Sequence, residues 1–238
     1  TKFIDAAYCE LVAHLLREKQ ETQDADTAQM HELLDYCALW THQIKTPIAA
    51  LRLMLPEDTA ARLELFKVER YAEAMLTYLR LPSISSDLAL SRCDLDKMIR
   101  ETVKKFAPFF IAKQLRLNFT PTGLSVLTDE KWLALALEQL ISNAVKYTDE
   151  GEIAIWAEGE TLHIRDTGVG IASADLPRVF ERGFTGANGR LDKRATGIGL
   201  FLVKCILFRL QNDITLTSTP GEGTEVTLDL SRDELLPD

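Results

Sequence analysis

The sequence predicts an α+β chain in two parts: an antiparallel helical hairpin, then a sandwich with helices on one face of a mostly antiparallel sheet. Three observations carry this. Apolar residues recur at heptad spacing from Met30 to Met54 and again from Leu65 to Leu79. Short runs of alternating apolar residues, bounded by glycine turns, fill the second half. Between those runs lie three stretches of helical length.

The elements follow in order. In the first helix Met30, Cys37, Ile44 and Leu51 fall at heptad position a, and Leu33, Trp40, Pro47 and Met54 at d. Pro56-Glu57-Asp58 interrupts the pattern. A second helix then carries Leu65, Val68, Ala72, Met75 and Leu79 at spacings of three and four. Such a hairpin leaves an apolar seam. Pairing with a second copy, as a homodimeric four-helix bundle, would cover it; so would packing on the rest of the chain. The Ser-rich stretch Leu81–Leu95 reads as a linker. Asp94 is placed to cap a helix reaching about Ile111, and Asp129 a helix from Lys131 to Lys146. Leu115–Phe119, Leu124–Leu127, Ile153–Ala157, Leu162–Arg165, Ile214–Ser218 and Glu225–Leu230 read as strands, and Gly197–Leu210 as the last helix. Glu158-Gly159-Glu160-Thr161 and Pro220-Gly221-Glu222-Gly223 supply the turns.

Composition narrows the function. The 238 residues include 27 basic and 36 acidic ones, for a net charge of −9. A phosphate backbone needs a positive surface, so nucleic acid is not the expected partner. A nucleotide remains open, because backbone N–H groups and a metal ion can hold one. The four cysteines are scattered without a Cys-x-x-Cys, which speaks against a zinc site or disulfide framework. No apolar run approaches the roughly 20 residues of a membrane span. The chain opens without Met and is read as part of a longer protein, so an upstream membrane span stays possible.

Two glycine-rich pieces stand out, Asp166–Ile171 (DTGVGI) and Thr196–Leu202 (TGIGLFL). Glycine lets backbone approach a ligand closely, and a helix start attracts phosphate. Between them runs a long irregular stretch of the kind that forms lids. In Leu137–Thr148 (LEQLISNAVKYT), Gln139, Asn143 and Lys146 share one helical face. Asn143 stands among apolar neighbours, where its amide oxygen would suit Mg²⁺.

Together these pieces resemble the cytoplasmic core of a bacterial sensor histidine kinase. In that family a dimerisation and phosphotransfer hairpin precedes a Bergerat-type ATPase domain, of the superfamily that includes gyrase and Hsp90. The resemblance implies a juxtamembrane helix over residues 1–29, the hairpin over 30–81, a linker over 82–93 and the catalytic domain over 94–238. It implies ATP and Mg²⁺ as cofactors, with Asn143 and Gln139 toward the metal and Lys146 and Tyr147 toward the phosphates. Asp166, Gly168 and Gly170 match the box whose carboxylate accepts the adenine amino group. Phe180 and Phe184 match the lid aromatics. Thr196, Gly197, Gly199 and Leu200 match the second glycine box, which receives phosphates, and Thr224 the last box, near adenine. His42, at heptad position f on the solvent side, matches the phosphoacceptor. Its neutral imidazole nitrogen is a nucleophile near pH 7. Thr46, one turn later, matches the residue that orients water when such kinases act as phosphatases. Pro47 is expected to break the helix ladder and let it bend.

The chain departs from the family at two positions. Gln43 replaces the usual acidic residue after the phosphoacceptor; an amide can orient the ring but supplies no charge. Thr185 replaces a lid Arg, leaving Arg190, Lys193 or Arg194 to meet phosphate. The string from His42 to Pro47 is similar to small kinases found beside peptide-antibiotic ABC transporters. A response-regulator receiver domain and a membrane transporter are the partners the resemblance implies, and the implied setting is the cytoplasmic side of a cell-membrane protein. Two rival readings are an ATP-driven clamp, whose catalytic Glu position is Gln139 here with Glu138 beside it, and a non-catalytic dimerisation scaffold.

Overall fold

The computed structural model describes residues 19–20, 39, 43–55, 60–81, 88–186 and 197–232. His42, Thr196 and the lid cations Arg190, Lys193 and Arg194 fall outside these residues, as does nearly all of 1–42. The chain divides into two compact units, Thr1–Leu79 and Arg80–Asp238.

In the first unit, helix α1 covers residues 43–54 and α2 covers Ala60–Arg80. Ion pairs set their sense. Lys45 meets Glu73 at 3.0 Å and Arg52 meets Glu69 at 3.9 Å, so the register runs antiparallel. α1 runs through Pro47, which leaves the local gap in the ladder that the sequence predicts. The proline removes one N–H, and the neighbouring turns keep theirs. Ile48 is buried, whereas the seam residues Leu51, Met54, Val68 and Met75 are exposed within one chain.

The second unit opens with strand β1 (Ser91–Asp94) and α3 (Leu95–Ala112). β1 corrects the linker reading, since Ser91–Asp94 pairs antiparallel with β3 (Ser125–Thr128). Only Cys93 of this strand is buried, so its sequence carries no alternation to read. As the sequence predicts, the Asp94 carboxylate accepts from Lys97 N and caps α3, and Asp129 caps α4 (Glu130–Tyr147) through Trp132 N. Strands β2 (Arg116–Phe119), β4 (Glu152–Glu158), β5 (Thr161–Asp166), β6 (Asp213–Thr219) and β7 (Gly223–Asp229) form one sheet in the order β2-β4-β5-β7-β6. The β2–β4 pair is parallel and the others antiparallel. Helix α5 spans Gly199–Arg209.

Burial alternates along β4 and β5, which puts Ile153, Ile155, Leu162 and Ile164 on one face. Leu133, Leu137 and Ile141 of α4 and Leu202 and Ile206 of α5 are likewise fully buried. Each such side chain contributes about 1.5–3 kcal/mol. α4 packs between α3 and α5 and against β5, so the helices cover that face. On the other face Trp156 and His163 stack at 4.9 Å, and His163 Nδ1 lies 3.0 Å from Glu225. His163 is thus a packing residue.

Candidate nucleotide site

The site grows from α4. Half of this helix is buried, and Gln139, Asn143, Lys146 and Tyr147 stay partly exposed along one edge. Gln139 and Asn143 flank the N-terminus of α5. A Cβ placed on Gly199 would lie 3.3 Å from Gln139 Oε1 and 3.8 Å from Asn143 Oδ1. Two hard amide oxygens therefore converge on a helix start, where free N–H groups and the dipole favour phosphate. This donor set fits Mg²⁺ held jointly by protein oxygens and ligand phosphates. Glu138 is turned away from this edge. It is buried and ion-paired with Lys105 of α3.

At the far end, Asp166 closes β5. Its carboxylate accepts Gly168 N at 2.9 Å and Thr224 N at 3.3 Å. Burial pushes its carboxyl above the ordinary range, and the two N–H bonds only partly offset this. The glycines here answer to space. A Cβ on Gly168 would lie 2.3 Å from the Tyr147 carbonyl oxygen. One on Gly170, at φ +67, would lie 2.0 Å from the Thr219 carbonyl oxygen. Backbone crosses backbone at both places, so no larger residue fits.

The β6–β7 turn supports this corner. Ser218 Oγ accepts from Ile171 N at 2.8 Å, donates to Gly223 O at 2.7 Å and lies 2.9 Å from Thr224 Oγ1. Val169 N reaches back to Tyr147 O at 3.1 Å, joining the glycine turn to the end of α4. Asp166, Gly168, Gly170 and Thr224 are therefore one cluster, and Gln139, Asn143, Gly199 another, with Lys146 and Tyr147 on the helix that connects them. Phe180 lies under Lys204 at 5.5 Å and Phe184 under Arg178 at 4.5 Å, so each aromatic is held by a cation. Gly197, at φ +65, accepts from Gly183 N at its carbonyl oxygen, at 3.0 Å. Leu200 sits half-buried in the first turn of α5. Gln43 and Thr46 are exposed on α1. Sequence reasoning missed Ser218; a Ser near the end of a strand carries no motif of its own.

Comparison with known proteins agrees with this geometry. Residues 128–234 match the family described as histidine kinase-, DNA gyrase B-, and HSP90-like ATPase. Sensor histidine kinase YxdK of Bacillus subtilis is 32% identical, over 89% of this chain and 69% of the relative. Sensor protein BceS of Halalkalibacterium halodurans is 35% identical, over 90% and 66%. The chain thus spans about two thirds of the length of these curated relatives. Among solved structures, full-length ShkA in complex with AMPPNP shares the fold with a TM-score of 0.59 at 21% identity, over 82% of this chain and 45% of that one. On the strength of these relatives the chain belongs to the sensor histidine kinases, the ATP-using protein-histidine kinases of two-component signalling.

Proposed function

We propose that this chain transfers the γ-phosphoryl group of Mg²⁺-ATP to His42 and then to an Asp of a response-regulator receiver domain. An imidazole nitrogen lone pair attacks the γ-phosphorus, a P–N bond forms, and the bond to the bridging oxygen breaks to release ADP. The convergence of Gln139 and Asn143 on the start of α5 carries this reading, because in-line transfer depends on positioning and charge neutralisation. Asp166 would accept the adenine amino group, with Gly168, Gly170 and Thr224 shaping the base pocket. Asn143 and Gln139 would hold Mg²⁺, which neutralises phosphate charge. Lys146, Tyr147 and the segment Thr196, Gly197, Gly199 and Leu200 would meet the phosphates, with Phe180 at the lid. Gln43 would orient the His42 ring, and Thr46 a water when the enzyme removes phosphate from its regulator.

The exposed seam of α1 and α2 supports a homodimer through the hairpin. Among the described residues no helix is long and apolar enough to cross a membrane. We place the chain on the cytoplasmic side of a longer cell-membrane protein, one that works with a peptide-handling transporter. The clamp reading loses its base, since Glu138 is committed to Lys105 and Gln139 is an amide. Incubation with labelled ATP tests the proposal. Wild type should acquire acid-labile, base-stable label, and His42→Ala should lose it while binding ATP normally. Undiminished labelling of the variant refutes the assignment.

A further inference from the structure

The end of α4 leaves carbonyl groups without helical donors, as any helix does. Here the partners divide unusually. Ala144 O accepts from Thr148 N at 3.1 Å, and Tyr147 O accepts from Val169 N at 3.1 Å. The remaining three are taken by one side chain from another element. Lys113 Nζ donates to Val145 O at 2.9 Å, Lys146 O at 3.2 Å and Thr148 O at 2.8 Å, with Asp149 Oδ1 at 3.0 Å. A positive charge at a helix C-terminus also complements the dipole.

The position of Lys113 makes this more than a local cap. It is the C-cap residue of α3, more than thirty residues before the carbonyls it binds. By taking the carbonyls of Val145, Lys146 and Thr148, it leaves that of Tyr147 to the glycine turn. That turn in turn gives Gly168 N to Asp166 at 2.9 Å. One ammonium thus braces the helix end that carries Lys146 and Tyr147, and through the Tyr147 carbonyl that end holds the turn beside Asp166.

We propose that Lys113 is a positioning residue for the nucleotide: it sets the separation between the adenine-binding carboxylate and the phosphate-binding end of α4. The inference rests on the nucleotide reading above. A ligand that spans both ends gains from having both placed at once, whereas a ligand that touches one end gains nothing from their spacing. The ratio of ATP to adenosine affinity therefore reports the separation, and ordinary fold stability does not move it.

The test is calorimetric titration of ATP and adenosine into wild type, Lys113→Met and Lys113→Arg, with melting temperatures in parallel. Lys113→Met should lose about tenfold in ATP affinity, with adenosine changed less than about twofold, and Lys113→Arg should recover most of the ratio. Should Lys113→Met not fold, Lys113→Gln, which keeps two donors without the charge, reads the same ratio. An unchanged ratio alongside a lower melting temperature overturns the proposal and leaves Lys113 a helix cap. A wild type that binds ATP no better than adenosine overturns the nucleotide reading itself, and this inference with it.

Discussion

Asp166 faces two ways energetically. Its carboxylate is buried, so the free protein bears the cost of a desolvated charge. The folded pKa lies above the ordinary 3.8, so that cost is fully present above the folded value and is relieved as pH falls toward 3.8. Nucleotide binding runs the other way. In the proposed adenine contact the ionised carboxylate is a stronger acceptor than the acid, so acidification through the same window should weaken ATP binding while stabilising the free domain. Titrations across that window check this, and an Asp166→Asn variant should show neither trend. The variant should also bind ATP about tenfold to a hundredfold more weakly, from loss of a charge-assisted bond of about 1.5–3 kcal/mol. Asp166 was legible in the sequence because glycines at fixed offsets surround it. Ser218 reaches Ile171 N, and Lys113 the end of α4, only through the tertiary fold, and nothing near them in sequence records those partners.

Among the elements, α3 shows what pattern can and cannot reveal. Its start is written in Asp94, a residue suited to capping. Its end is not: Gln114 takes φ 55, where glycine is the usual choice, and Gln211 does the same after α5 at φ 58. Leu115 N then bonds Phe110 O at 2.9 Å and closes the helix without a sequence signal. Asp96 on α3 anchors the loop that leads into β3. Burial alone would raise its pKa, but bonds from Thr122 N, Thr122 Oγ1 and Gly123 N, and the charge of Arg100, outweigh it and lower the value. A lowered folded pKa means the stabilisation is full above the unfolded value and is lost as pH falls below 3.8. Asp96→Ala should cost about 2–3 kcal/mol in chemical denaturation at pH 7, and much less in strong acid. An equal cost at both pH values would show that the loop does not depend on this charge.

For the whole molecule, the division at Leu79 and Arg80 has a direct consequence. A fragment of residues 88–232 should unfold in one cooperative step, bind ATP as the full chain does, acquire no label and sediment as a monomer, while the full chain sediments as a dimer. A dimeric fragment would move the interface away from the hairpin. The bracket between Gly183 and Gly197 matters at this scale too. The 3.0 Å bond from Gly183 N to Gly197 O pins the two ends of the intervening stretch together. The entropy of closing a loop grows only with the logarithm of its length, so doubling that stretch would cost about 0.6 kcal/mol. The number of residues between those two glycines is therefore nearly free for selection to vary: related proteins can gain or lose residues there while the sheet keeps its register.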